Sequence, residues 1–260
     1  MYNLLISLAV FLLFFGGLSA ATPLPWWASF LIALTAFVGT FLVITLIVRK
    51  KASAIQAEAM KSLEPIQAQR VTNREMALQL IEKAARDLKK GFAYSRWMFF
   101  LDSQINTGIG SLYFSVREFT TAYDYLNGGV SFNQYFKNWE PLGMLAVCCL
   151  KRRRIEEMEK VFEKAVMGVA KQPLVWNLYA YCLVEAGKPE RAREIMERGL
   201  KKTSGDRTLT QNLELLQQGK GMKMDDYGDK WLQFQLESIA KLQKQQMAAM
   251  GGMKRRVVRR

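Results

Sequence analysis

Two stretches at the start of the chain carry no polar face. Leu4 to Ala21 gives 18 mostly apolar residues and Trp26 to Val48 gives 23, and no charged side chain occurs between Met1 and Val48. At about 1.5 Å per residue these form helices of about 27 and 34 Å, against about 30 Å of bilayer hydrocarbon. Between them Pro23 and Pro25 break the helix, and Trp26 and Trp27 suit a headgroup layer. Residues 1–48 therefore predict a two-helix transmembrane hairpin. Ser19-Ala20-Ala21 also has the form of a signal-peptide cleavage site, but Met-Tyr-Asn supplies no basic leader, so an uncleaved hairpin is expected. The spans contain Ser, Thr and Gly as their polar breaks, which favours an anchor over a channel or transporter.

After Val48 the pattern becomes that of amphipathic helices. Residues 49–71 read as a juxtamembrane helical stalk, with Lys51 to Leu63 continuing the second span until Pro65 interrupts it. Thr72 and Glu75 form a capping box, followed by Ala77, Leu80, Ile81, Ala84 and Leu88 on one helical face and Gly91 as a stop. The dense apolar cluster Phe92, Tyr94, Trp97, Met98, Phe99, Phe100 and Leu101 reads as core, with a membrane-resting surface as its alternative. No strand-like alternation of useful length follows.

Sliding the chain against itself by 34 residues exposes a repeat. Leu142, Leu145, Ala146, Met158, Phe162 and Ala165 fall on Trp176, Tyr179, Ala180, Ala192, Met196 and Gly199, and every pair but Met158/Ala192 keeps its size class. An earlier copy shows Ile109-Gly110-x2-Tyr113 and Ala122-x3-Leu126, with Phe119 matching Ile155 at a spacing of 36. Repeats are placed at about 103–136, 139–172 and 173–206, within a helical repeat domain spanning 72–218. Small residues at Gly110, Ala146 and Ala180 fit points where paired helices cross closely, while bulky positions fill the gap to the next pair. A linker over 219–228 leads to an amphipathic helix over 229–250, carrying Trp231, Leu232, Phe234, Leu236, Ile239 and Leu242, and to a basic tail over 251–260. That helix is expected to cap the last repeat or lie in its groove, the alternative being a free partner-binding helix.

Trp176, Tyr179, Ala180 and Leu183, with Gly187 at the turn and Ala192-x3-Met196 after it, resemble the tetratricopeptide family. The resemblance covers about 104 of 260 residues. It implies an α-solenoid of about three helix pairs whose first helices line a concave groove. In this register the groove residues are Thr107, Ser111 and Phe114, then Val147, Leu150 and Lys151, then Asn177, Tyr181 and Val184. Chaperone-binding members grip a carboxylate with Lys, Asn and Arg, but the corresponding positions here are Thr107, Ser111, Met144, Leu174 and Leu178, which argues against that clamp. A largely apolar groove suits an amphipathic helix or extended apolar peptide of a protein partner.

Charge sharpens this picture. All 37 Lys and Arg and all 23 Asp and Glu follow Val48, so the formal net charge of +14 belongs to residues 49–260. Arg49, Lys50 and Lys51 come directly after the second span, which places the rest of the chain in the cytosol by the positive-inside rule. The tail residues Lys254, Arg255, Arg256, Arg259 and Arg260 are candidates for anionic lipid or RNA. Lys151 to Arg154 is read as a solvated turn. The absence of histidine removes the commonest general base and metal ligand. Cys148, Cys149 and Cys182 show no CxxC spacing and read as core residues of a reducing compartment. Thr107-Gly-Ile-Gly and Asp225-Asp-Tyr-Gly-Asp lack the remaining elements of nucleotide and calcium loops and read as turn or cap residues.

The expectation is thus an all-α protein with no catalytic residue, no metal and no cofactor. The expected role is an integral membrane scaffold or adaptor in the inner membrane of a bacterium, or else a receptor of the same type in an organelle membrane, that binds protein partners on the cytosolic side. The alternatives are an accessory subunit of a membrane enzyme, transport or channel complex, or a basic-tail tether to anionic lipid or RNA.

Overall fold

The computed structural model describes residues 1–68 and 73–237, and every regular element among them is helical. The described residues divide into two compact units, Met1–Val116 with Asp124–Asn133, and Arg117–Tyr123 with those from Gln134 on.

In the first unit helix α1 (Tyr2–Ala21) and helix α2 (Trp26–Gln67) form an antiparallel hairpin around Thr22–Pro25. Phe11 and Phe15 of α1 meet Phe30 of α2 edge-on, with ring centroids 5.6 and 6.2 Å apart. At the other end Asn3 donates to Thr45 Oγ1 at 2.7 Å, and the Ser7 hydroxyl donates to the Asn3 carbonyl at 2.9 Å. Asn3, outside the expected span of Leu4 to Ala21, lies inside α1 and is buried. Both helices are long and apolar enough to cross a membrane, and most of their side chains are unburied. Leu13 is 75% exposed and Leu46 is 62% exposed.

α2 does not stop at Pro65. It runs to Gln67, and the turn after the proline is still closed, with Ala68 N donating to Glu64 O at 2.9 Å. The expected stalk is also a packing surface. Val48, Ala52, Ile55, Ala59, Ser62 and Ile66 recur at alternating steps of four and three, which keeps one stripe facing the same way along the helix. Ala59 and Leu63 pack with Ile81 and Ala84 of α3 (Arg74–Lys89), while Val48 packs with Ala85 and with Leu101, Ile105 and Ile109 of α4 (Leu101–Ser115). The cap of α3 is Asn73, whose side chain accepts from Glu75 N at 2.9 Å; Thr72 lies outside the described residues. Gly91 is not a stop in the open. It sits in a 3-10 turn over Lys90–Tyr94, where a Cβ would come within 2.8 Å of Ile105.

α5 (Phe119–Gly128) and α6 (Val130–Tyr135) replace the single second helix expected for the first repeat. The break falls at Gly128 and Gly129, and a Cβ on Gly129 would lie 2.2 Å from Thr107 Oγ1. Gly110 carries the close approach foreseen for it, since a Cβ there would meet the Leu126 backbone nitrogen at 2.8 Å.

The second unit holds two helical hairpins, α7 (Trp139–Lys151) with α8 (Ile155–Gly168), and α9 (Pro173–Glu185) with α10 (Pro189–Lys202), followed by α11 (Arg207–Gln217). Each boundary of α9 and α10 lies 34 residues after the matching boundary of α7 and α8. All twelve side-chain positions that define the 34-residue period are buried. Phe162 of α8 stacks on Tyr179 of α9 at 4.7 Å, so the first hairpin is joined to the second by aromatic packing. Burial of such a side chain contributes about 1.5–3 kcal/mol. Within the second hairpin Gly199 leaves room for Trp176, whose Cγ would be 2.8 Å from a Cβ there.

Candidate partner-binding face

The nine residues assigned to the groove fall in both units. In the first, Thr107 is buried in α4, donating to Ser103 O at 2.8 Å and accepting from Asn133 Nδ2 at 2.8 Å. Ser111 is half-buried and donates to Thr107 O, and Phe114 is buried. In the second unit Val147 is buried, Leu150, Tyr181 and Val184 are half-buried, and Lys151 is exposed.

Asn177 is buried on α9 and spoken for by the chain itself. It donates to Tyr227 Oη at 2.8 Å, and its Oδ1 accepts from Asn212 Nδ2 at 2.8 Å. Asn212 in turn accepts from Lys223 N at 2.7 Å and donates to Lys223 O at 3.0 Å, so one amide side chain pairs with both backbone groups of the returning strand of chain. Tyr181 meets Trp231 edge-on at 4.8 Å. Phe234 tilts against Trp139 at 5.6 Å and fills the space a side chain at Gly143 would need, with a Cβ there 2.9 Å from Phe234 Cε1. Residues 224–237 thus lie on the faces of α7 and α9, and Met224, Trp231 and Phe234 are buried. Burial raises the hydroxyls of both Tyr181 and Tyr227 to about 12, so both remain neutral hydrogen-bonding groups.

The segment reaches this face as a helix for one turn only. α12 covers Asp229–Leu232, and Gln235 takes a φ of 55° just after it, so the helix expected over 229–250 is broken near its start; residues 238–250 lie outside the described residues. The turn is held by Trp231 Nε1 donating to Glu237 Oε1 at 3.0 Å. Arg117 ties down the end, donating to Gln235 Oε1 at 3.1 Å and to Glu237 O at 2.9 Å. Ile239, Leu242 and the five tail cations Lys254, Arg255, Arg256, Arg259 and Arg260 lie outside the described residues.

In the basic turn after α7, Lys151, Arg153 and Arg154 are exposed, as a solvated run requires, and Arg152 is half-buried. The Arg152 guanidinium stacks over the Tyr123 ring at 4.2 Å, and Arg154 donates to the Tyr123 hydroxyl at 3.2 Å. Tyr123 donates to Glu157, and that bond raises its pKa. Sequence reasoning missed Tyr123 because a tyrosine one residue after Ala122 carries no signal beyond helix amphipathicity. The three cysteines are buried, and desolvation pushes the thiols of Cys148 and Cys149 up to about 12 and that of Cys182 further up. They behave as small core residues. Among the described residues no three His, Cys, Asp or Glu side chains are grouped to hold a metal ion.

No family model, no curated protein and no solved structure matches this chain.

Proposed function

We propose that this chain is a membrane-anchored scaffold of tetratricopeptide-like repeats that recruits a protein partner on the cytosolic side. The observation that carries the reading is the 34-residue recurrence of both helices of a hairpin, placed downstream of two uncharged helices of spanning length. Stacked hairpins of one length offer a continuous face that no single pair can bury, which is the usual docking surface of helical repeats. Exposed leucines along α1 and α2 would be a liability in water and are ordinary in lipid. Arg49, Lys50 and Lys51 set the orientation with the repeats in the cytosol, in the inner membrane of a bacterium.

The partner contributes an apolar segment that meets the half-buried Leu150, Tyr181 and Val184 beside residues 224–237. The full chain, isolated in mild detergent, is expected to retain a stoichiometric protein partner. Leu150→Glu with Val184→Glu abolishes that retention at unchanged helix content by circular dichroism, whereas Met167→Glu, at a position 71% exposed, leaves it intact. A chain that retains no partner, or retains it equally with both glutamates in place, sinks the reading.

A further inference from the structure

The aromatic segment Phe92–Leu101 is pinned to the open end of the α1–α2 hairpin by three contacts. Tyr2 N donates to Arg96 O at 3.0 Å, Arg96 Nη1 donates to Tyr2 Oη at 3.2 Å, and the Tyr2 ring meets Trp97 edge-on at 5.4 Å. From α2, Ile44 and Val48 pack in the same cluster as Phe92, Tyr94, Trp97 and Met98. The segment therefore lies at the level where α1 begins and where the uncharged part of α2 gives way to Arg49. In the anchored reading, on which this inference rests, that level is the headgroup layer.

The chemistry of the segment matches that depth. Trp97 and Tyr94 are half-buried, as aromatic side chains with one polar tip are at a bilayer surface. Phe99 is 57% exposed, an unpartnered benzyl group in the middle of an otherwise packed run. The backbone presents it, because Phe100 takes a left-handed φ of 58° and packs its own ring on Phe132 at 6.5 Å, which reverses the chain just after Phe99. Cations surround the aromatic patch. Arg96 is exposed, Lys51 Nζ lies 5.6 Å over the Tyr94 ring, and Arg49 and Lys50 directly precede Lys51 on α2.

We propose that Phe92–Leu101 is a lipid-binding ledge, with Phe99 inserted among acyl chains and Arg96 and Lys51 on the phosphates of anionic lipid. The ledge sets the first unit at a fixed height on the bilayer, independently of any protein partner.

Nitroxide labels on the full chain in vesicles containing phosphatidylglycerol test this. Labels are placed through Phe99→Cys, Leu13→Cys or Met76→Cys, the buried native thiols staying unreactive. Leu13 reports the span and Met76 an exposed position on α3. The ratio of collision rates with oxygen and with a water-soluble nickel chelate should place position 99 between positions 13 and 76. It should shift toward position 76 when phosphatidylcholine replaces phosphatidylglycerol. A ratio at 99 equal to that at 76, with 13 still lipid-like, overturns the ledge and leaves the anchor standing. A water-like ratio at 13 as well overturns both. A label at 99 shielded from both collision partners means that a second copy or another protein covers the ledge, and overturns it too. Indifference to the lipid headgroup overturns the anionic assignment.

Discussion

The turns that follow α4, α7 and α9 each use one residue in the left-handed region, at Arg117, Arg153 and Gly187, with φ of 63°, 59° and 76°. The spacings are 36 and 34 residues, the same as those between the last residues of α4, α7 and α9. The turn after α7 is a Schellman motif, with Arg154 N bonded to Cys149 O at 2.9 Å and Arg153 N to Leu150 O at 2.9 Å, and Lys188 N and Gly187 N repeat it on Leu183 O and Val184 O. Glycine adopts this conformation freely and arginine does not, at a cost of about 1–2 kcal/mol. Arg153→Gly should therefore stabilise the full chain by about 0.5–1 kcal/mol, and Gly187→Ala should destabilise it by about 1 kcal/mol, read as opposite shifts of the urea midpoint in detergent. Gly187 was legible as a turn residue from its type. Arg153 was not, because arginine carries no turn signature and only the recurrence of the backbone reveals its role.

Among the elements, the pairing of α8 with α9 and α10 contributes a pH dependence. Arg198 of α10 donates to both oxygens of Glu163 of α8 at 2.8 and 2.9 Å, and Tyr179 of α9 donates to Glu163 Oε1 at 3.3 Å. The Arg198 hydrogen bonds hold the Glu163 carboxyl below its ordinary value near 4.5. A depressed folded pKa means that the stabilisation is complete above the unfolded value and is lost as the pH falls through the folded one. The pair is partly solvent-screened, so the contribution is on the order of 0.5 kcal/mol. Thermal melts of the wild type should lose stability below about pH 4.5 faster than those of Glu163→Gln, and parallel curves would remove the pair from the account. Helix existence and the 34-residue period were legible from local amphipathicity. The ends were less so. Pro65 marks an interruption in the sequence, yet α2 continues through it to Gln67, and the a/d stripe from Val48 to Ile66 makes the stalk a packing face.

For the molecule as a whole, the segment after α11 decides how much of the repeat face is free. Phe234 is fully buried against Trp139 and the Gly143 backbone. Phe234→Ala should lower stability by about 3 kcal/mol in denaturant titrations of the full chain, and an effect near zero would mean that the segment is not docked. The sequence by itself determined the all-α class, the two uncharged helices and the repeat period, because each is written in local spacing and in the composition of contiguous stretches. It pointed to the segment after the linker as a cap or groove occupant, but not to the docked turn that covers Asn177 and Tyr181. Trp231 and Phe234, three residues apart, fit a free amphipathic helix as well as a docked turn, and local periodicity does not distinguish them. Tertiary structure chose the docked turn through contacts distant in sequence. Arg117 reaches Gln235 and Glu237, Asn212 pairs with Lys223, and Tyr227 accepts from Asn177. Such pairings depend on shape and on buried polar groups finding partners, and neither is encoded in the pattern of any one segment.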